Sequence, residues 1–93
     1  MNEKMYRIMD IKHIGTEETR TDGRYPLRKG SIVKNIFAKA GFCMICEYVK
    51  DAQGKPKEGF LRTSKVSSVK LHDGVLTVTT QNSIYIFKEM RAD

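Results

Sequence analysis

Residues 66–89 constrain the fold most, because apolar and polar side chains alternate there in three short runs separated by turn signals. The first turn falls at Asp73-Gly74 and the second near Gln81-Asn82. An Asp-Gly pair between alternating apolar residues is a strong hairpin signal, since both central residues of a type I′ turn need positive φ. The segment therefore predicts three consecutive antiparallel strands, and this β-meander indicates an all-β fold.

The register of the meander gathers its large apolar side chains on one face. Moving the second turn to Asn82-Ser83 leaves the last two of these side chains on that face, because the register then shifts by two residues rather than one. Leu76 is expected to face Leu71 and Phe87 across the sheet. The residues predicted to share the face are Val69, Leu71, Leu76, Val78, Tyr85 and Phe87.

Shorter strands are predicted upstream of the meander. Residues 5–14 alternate imperfectly and predict a first strand, with a short helix as the alternative that periodicity alone leaves open. Residues 32–37 predict a second strand. Residues 42–49 are apolar on both faces except at Glu47, which is typical of a strand covered on both sides. Residues 60–62 predict a short strand that a tight connection at residues 63–65 joins to the meander.

The chain of 93 residues has the length of one domain, so residues 1–93 are expected to form a single small unit. A hydrophobic content of 40% with 30% charged residues is typical of a globular domain rather than a disordered one. The first fifteen residues mix charge into every apolar stretch, so neither an export signal nor a spanning segment is predicted there. A cytoplasmic location, with reduced thiols and no membrane partner, is therefore expected.

A net charge of +6 favours partners with phosphate or carboxylate groups. Basic residues with an interleaved aromatic occur in the long polar loop 15–30 and again around residues 57–65. In small barrels these two regions lie on the same side, and proteins that bind single strands combine such charges with stacking aromatics. The alternative is that Phe60 is a core residue and the charges form a solvated rim. The candidate binding residues are Arg24, Tyr25, Arg28, Lys29, Arg62 and Lys65.

Two segments carry a resemblance to a known family. Residues 26–33 read PLRKGSIV and residues 59–66 read GFLRTSKV. They are similar, in spacing and residue type, to two strand segments of the Src-homology-three (SH3) type of small barrel. The resemblance covers about residues 5–70 and implies a partly open SH3-like barrel, with residues 75–88 as an added hairpin beyond it. The chain also resembles short bacterial proteins, which implies no function.

The resemblance fails where SH3 domains bind proline-rich peptides. Their groove needs a tryptophan pair at a strand opening and a tyrosine after the last short turn. This chain contains no tryptophan, and Phe42-Cys43 stands at the strand opening while Lys65 takes the place of the tyrosine. Recognition of proline-rich peptides is therefore not expected.

Cys43 and Cys46 have the two-residue spacing of a redox or zinc motif. A redox pair needs a helix N-terminus, and a zinc site needs two further ligands. The pair falls in a predicted strand, where residues three apart point to opposite faces. Buried reduced thiols are therefore expected. His13 and His72 form no catalytic pattern, and neither a metal, a cofactor nor an enzyme activity is predicted.

The sequence thus favours a non-enzymatic binding module that acts through the loop 15–30 and the adjacent strand edge. A protein partner is the leading expectation. The alternative is a nucleic-acid-binding barrel that uses the basic rim, because phosphate backbones are neutralised by such residues. Self-association by pairing of edge strands is a third possibility that a small meander invites.

Overall fold

The computed structural model describes residues 4–90, and within them the chain is almost entirely strand. This confirms the predicted all-β class. The elements are β1 (Met5–His13), α1 (Tyr25–Arg28), β2 (Ile32–Phe37), β3 (Cys43–Lys50), β4 (Phe60–His72), β5 (Val75–Thr80) and β6 (Ser83–Met90).

The strands form one antiparallel sheet that closes into a ring in the order β1-β2-β3-β4-β5-β6. The barrel is uneven. β1 pairs with β6 along its whole length, from Met5↔Met90 to His13↔Ser83. It pairs with β2 only from Met5↔Lys34 to Arg7↔Ile32, so this seam is the narrowest in the ring. A partly open barrel was expected. Instead, each described strand pairs with a neighbour on both sides, and the ring is closed.

The hairpin of residues 75–88 belongs to the barrel, which corrects its predicted place outside the ring. β5 pairs with β4, and β6 pairs with β1. Without β6 the first strand would have a single neighbour and the ring would be open. The SH3-type motifs lie in the first four strands and could not indicate this closure.

One cluster of buried side chains fills the barrel, and every strand supplies at least one of its residues through its inward-facing positions. β3 shows the alternation most clearly, since Met44, Cys46 and Tyr48 are buried while Cys43 lies between core and solvent. The predicted burial of both faces of β3 is therefore wrong. The core residues are Ile8, Ile11, Val33, Met44, Cys46, Tyr48, Leu61, Val66, Val78, Tyr85 and Phe87.

A bulge in β1 explains why its apolar residues alternate imperfectly. The register with β6 shifts between Ile8 and Asp10, and the intervening Met9 is exposed. An extra residue in one strand reverses the facing of all that follow. Ile8 and Ile11 therefore both point inward, although they are three residues apart.

β4 is one strand of 13 residues, so the break predicted at residues 63–65 is wrong. The register with β3 shifts at this point, between Cys43↔Lys65 and Ile45↔Arg62. The Met44 N–H donates to Thr63 Oγ1 (3.2 Å), and the Thr63 hydroxyl donates to the Ser64 carbonyl (2.8 Å). Side-chain bonding at this bulge lets β4 bend without ending.

The turns and register of the meander are confirmed. Asp73 and Gly74 have φ values of 49° and 76°, as a type I′ turn requires. The second turn is Gln81-Asn82, where Thr80 Oγ1 accepts from the Ser83 N–H at 3.0 Å. The predicted cross-strand pairs Leu71↔Leu76 and Leu76↔Phe87 both form.

Burial along the meander differs from the prediction at its first strand. Val69 and Leu71 are 40% and 62% exposed, although they lie on the predicted face. Beyond Val66, β4 pairs only with β5 among the described strands. The hairpin therefore extends past β3, and its inner face lacks the neighbour that would cover it.

Candidate functional site

Arg20 fixes the long connection between β1 and β2 to the far end of the barrel. Its Nη1 donates to the Asn82 carbonyl (2.7 Å) and to Ser83 Oγ (2.9 Å). Its Nε and Nη2 donate to the two carboxylate oxygens of Asp22, at 3.1 and 2.7 Å. The hydrogen bond from Arg20 lowers the pKa of Asp22 to about 2. One side chain thus joins the connection to the β5–β6 turn.

Tyr25 and Arg28 extend this network into the short helix α1. The Arg20 and Arg28 guanidinium carbons lie 4.1 and 5.1 Å from the centroid of the Tyr25 ring, within cation–π range. Arg28 Nη1 also donates to Tyr85 Oη at 3.0 Å. Tyr25 is half-buried and already engaged by two cations, so it stabilises the connection instead of offering a free ring.

The loop between β3 and β4 faces this connection and is held by its backbone. Asp51 Oδ1 accepts from the N–H groups of Gln53 and Lys55, both at 2.9 Å. The Lys57 N–H donates to the Val49 carbonyl at 3.0 Å. Lys57 Nζ lies 4.0 Å from the centroid of the Tyr48 ring. Backbone N–H groups and the Asp51 carboxylate thus set most of the shape of this loop, and Lys57 adds one contact to Tyr48.

A groove of about 610 Å³ separates the helix α1 from this loop and the start of β4. Leu27 and Phe60 line it and are both 70% exposed, so the alternative that Phe60 is a core residue is wrong. One acid, Glu58, also lines the groove. The cations on its walls are Arg24, Arg28, Lys57 and Arg62.

Two neighbouring cavities continue the groove at its two ends. One, of about 160 Å³, shares Arg28 and Arg62 with the groove and reaches the β5–β6 turn. The other, of about 470 Å³, shares Lys57 and Phe60 with it and reaches Pro56. Lys34 and Glu47 also line this cavity, with Lys34 Nζ 3.9 Å from Glu47 Oε2. We call the three together the basic track. The shared lining residues show that the three cavities adjoin one another on one side of the barrel.

The structure divides the six predicted site residues into two groups. Arg24, Arg28 and Arg62 line the groove, and Tyr25 lines the small cavity beside it. Lys29 and Lys65 line neither. Lys29 Nζ lies 3.9 Å from Asp10 Oδ1, and Lys65 projects from β4 opposite Cys43.

Sequence reasoning left Arg20, Leu27 and Lys57 out of the site. Arg20 was visible only as one member of a basic cluster, and its bonds reach a turn more than sixty residues away. Leu27 resembles a core residue in the sequence. Lys57 stands three residues before Phe60, and that basic-aromatic spacing was the one available signal.

The two cysteines lie in β3 as predicted. Cys46 is fully buried, and this burial raises the pKa of its thiol to about 12, so the group stays protonated at neutral pH. Cys43 is half-buried. Residues 4–90 hold no cluster of three potential metal-ligating side chains. No helix within the same range is long and apolar enough to cross a membrane.

Comparisons with family models, with curated proteins and with solved structures gave no match to this chain. What the site does must therefore be argued from its own geometry.

Proposed function

We propose that this chain is a non-enzymatic binding module whose basic track binds single-stranded nucleic acid. The observation that carries the proposal is the continuity of the track, which brings four cationic side chains beside one freely exposed aromatic ring. The sequence alone favoured a protein partner. A continuous basic path favours a charged chain instead, because successive phosphates can follow it.

Charge supports this proposal. Arg24, Arg28 and Arg62 converge from two different elements on one groove, and Glu58 is the single acid on its walls. Each phosphate that such a cation neutralises releases counterions, so affinity falls steeply with added salt. For a single strand the slope of log K against log salt is about −0.7 per phosphate contact, which gives roughly −2 to −3 for this track.

The exposed ring favours a single strand over a duplex. Phe60 is 70% exposed at the groove wall, where an unstacked base can lie on it. Stacking of one base on an aromatic side chain contributes about 1–3 kcal/mol and tolerates any base. The bases of a duplex are already stacked on one another. We therefore propose weak sequence preference and a preference for single strands.

An SH3-like arrangement and a cytoplasmic location remain part of this proposal. The small antiparallel barrel and the segments at residues 26–33 and 59–66 support the first. The free thiols of Cys43 and Cys46 support the second, because cysteines in the cytoplasm stay reduced.

A protein partner is the second candidate, and one observation favours it. Leu27 and Phe60 are apolar side chains, both 70% exposed, on opposite walls of the groove. Buried apolar anchors carry most of the binding energy of protein interfaces. An acidic segment with a hydrophobic residue would fit the same groove.

Binding of labelled single-stranded DNA and RNA, followed by fluorescence anisotropy from about 50 to 200 mM salt, tests the proposal. The matched variants are Arg24→Ala/Arg62→Ala, on the track, and Lys29→Ala/Lys65→Ala, off it. Each removes two positive charges. We expect the first to flatten the salt slope by about 1.4 and the second to leave it nearly unchanged.

Equal effects of the two double variants would show that net charge, not the track, drives binding. Absence of any binding at about 50 mM salt, where electrostatic attraction is strong, would exclude the nucleic-acid proposal. Capture of a protein partner that persists at high salt and is lost in Leu27→Ala/Phe60→Ala would then support the second candidate.

A further inference from the structure

The small cavity at one end of the basic track differs in chemistry from the groove. It lies among α1, β4 and the β5–β6 turn, and its volume is about 160 Å³. That is several times the space one water molecule needs, so a phosphoryl group fits. Its walls carry two guanidinium groups, from Arg28 and Arg62, and no carboxylate. We call it the end pocket.

Two hydrogen-bond donors that line the end pocket, the Tyr85 hydroxyl and the Arg62 guanidinium, have no acceptor among the described residues. Tyr85 Oη accepts from Arg28 Nη1 at 3.0 Å, and its own hydrogen has no acceptor within residues 4–90. Burial raises the pKa of Tyr85 to about 12, so this hydroxyl is a donor at neutral pH. The backbone of Arg62 pairs with Ile45 in the sheet, but its guanidinium group makes no hydrogen bond or ion pair with any described residue. An acceptor-only ligand with several oxygens matches this set.

The end pocket closes the track on one side. The Gln81-Asn82 turn forms this limit, and Thr80 Oγ1 accepts there from the Asn82 N–H at 3.3 Å. Arg20 bonds to the Asn82 carbonyl and to Ser83 Oγ hold the turn against the long connection. The turn therefore bounds the small cavity at one end of the track, whereas the cavity at the opposite end is larger, about 470 Å³, and reaches Pro56.

We propose that the end pocket binds the terminal phosphate monoester of the strand that occupies the track. This inference rests on the proposed function. A terminal monoester carries about −1.5 to −2 charges at pH 7 and three strong acceptor oxygens. An internal phosphodiester carries one charge. Two guanidinium groups and a tyrosine hydroxyl, with no carboxylate in the lining, therefore select the end of a strand over its interior.

Three oligonucleotides of one sequence test this inference: one with a 5′-phosphate, one with a 3′-phosphate and one with neither. We expect one of the phosphorylated strands to bind wild-type protein about tenfold more tightly than the unphosphorylated strand, as charge-assisted hydrogen bonds of ordinary strength imply. Inorganic phosphate at the same concentration lacks contacts to the track and should displace none of them. Displacement by inorganic phosphate would reassign the pocket to small phosphates.

The variants Tyr85→Phe and Arg62→Gln test whether the preference for a phosphorylated strand arises in the end pocket. Each should lower the tenfold ratio of affinities for the phosphorylated and unphosphorylated strands toward one. Phe60→Ala, which alters the groove and not the end pocket, should weaken binding of all three strands and keep the ratio. Thermal unfolding of each variant confirms that it is folded, and the wild-type comparison stands even if Tyr85→Phe is not.

The outcomes separate this inference from the proposed function. Equal binding of all three strands would overturn the end pocket and leave the function intact. An unchanged ratio in both pocket variants would also overturn it. Failure of every strand to bind would contradict the function and the inference together.

Discussion

The two walls of the basic track are built by different means. The connection before β2 is held by side chains: Arg20 bonds to Asp22 and to the β5–β6 turn, and Arg28 bonds to Tyr85. The loop before β4 is held mainly by backbone N–H groups, which donate to carbonyls and to the Asp51 carboxylate. Both walls present cations to the same groove.

This difference predicts that mutations in the two walls will affect folding and binding differently. In the first wall the Arg20 and Arg28 side chains shape the site and also stabilise it, so a substitution of either affects folding and binding together. In the second wall the shape survives the loss of a long side chain, so a substitution affects binding alone. Single substitutions in each wall test this difference.

The largest effect is expected for Arg20→Ala in the first wall. It removes hydrogen bonds to Asp22, to the Asn82 carbonyl and to Ser83. Hydrogen bonds to charged groups contribute about 1.5–3 kcal/mol each, and partial exposure reduces this, so we expect a loss of about 2 kcal/mol in unfolding free energy. Chemical denaturation measures it, and binding should weaken too because the connection loses its anchor.

Arg24→Ala is the matched control for that substitution. Arg24 is an exposed arginine of the same connection without a hydrogen bond to the turn, and surface substitutions of this kind usually stay within about 0.5 kcal/mol. If the two variants were equally stable, the first wall would not depend on the Arg20 network.

An effect on binding alone, with stability unchanged, is expected for Phe60→Ala in the second wall. Loss of one stacking contact should weaken single-strand binding by about 1–3 kcal/mol. Stability should hardly change, since the ring is 70% exposed. Leu71→Ala removes a comparably exposed apolar side chain from the β4–β5 hairpin and should change neither quantity. Destabilisation by Phe60→Ala would contradict the separation of the walls.

The smallest expected effect is a loss of stability at low pH. The hydrogen bond from Arg20 lowers the pKa of Asp22 from 3.8 to about 2. Because the folded pKa lies below the unfolded one, this pair stabilises the protein fully above about pH 4 and less as the pH falls toward 2. NMR signals of the first wall should shift in that window, and Asp22→Asn should abolish the shift. A titration of the same signals near pH 4 would contradict the ion pair.

Local pattern was sufficient to predict much of the sheet. The Asp73-Gly74 turn and the pairing of Leu76 with Phe87 follow from alternation and turn chemistry, and both are present. Bulges were not predictable, because the extra residue at Met9 has no signature in composition. Neither was the exposure of Leu71, which depends on where β3 begins rather than on β4 itself.

The candidate site was predicted as a region rather than as a set of contacts. Charge and aromatic spacing placed Arg24, Arg28 and Arg62 together, and the structure unites them in the groove. The same reasoning included Lys29 and Lys65, because sequence does not show which way a cation leaves a bent strand or a helix end. Arg20 acts through a turn distant in sequence, and only the closed ring brings that turn to it.

The central claim is that the basic track is the surface that binds. Amide chemical-shift mapping tests it most directly, with an unphosphorylated single strand titrated into wild-type protein at about 50 mM salt, where phosphate contacts are strongest. We expect the amide signals of Arg24, Arg28, Lys57, Phe60 and Arg62 to shift and those of residues 69–72 to stay unchanged. Shifts centred on residues 69–72, or no shifts at all, would contradict it.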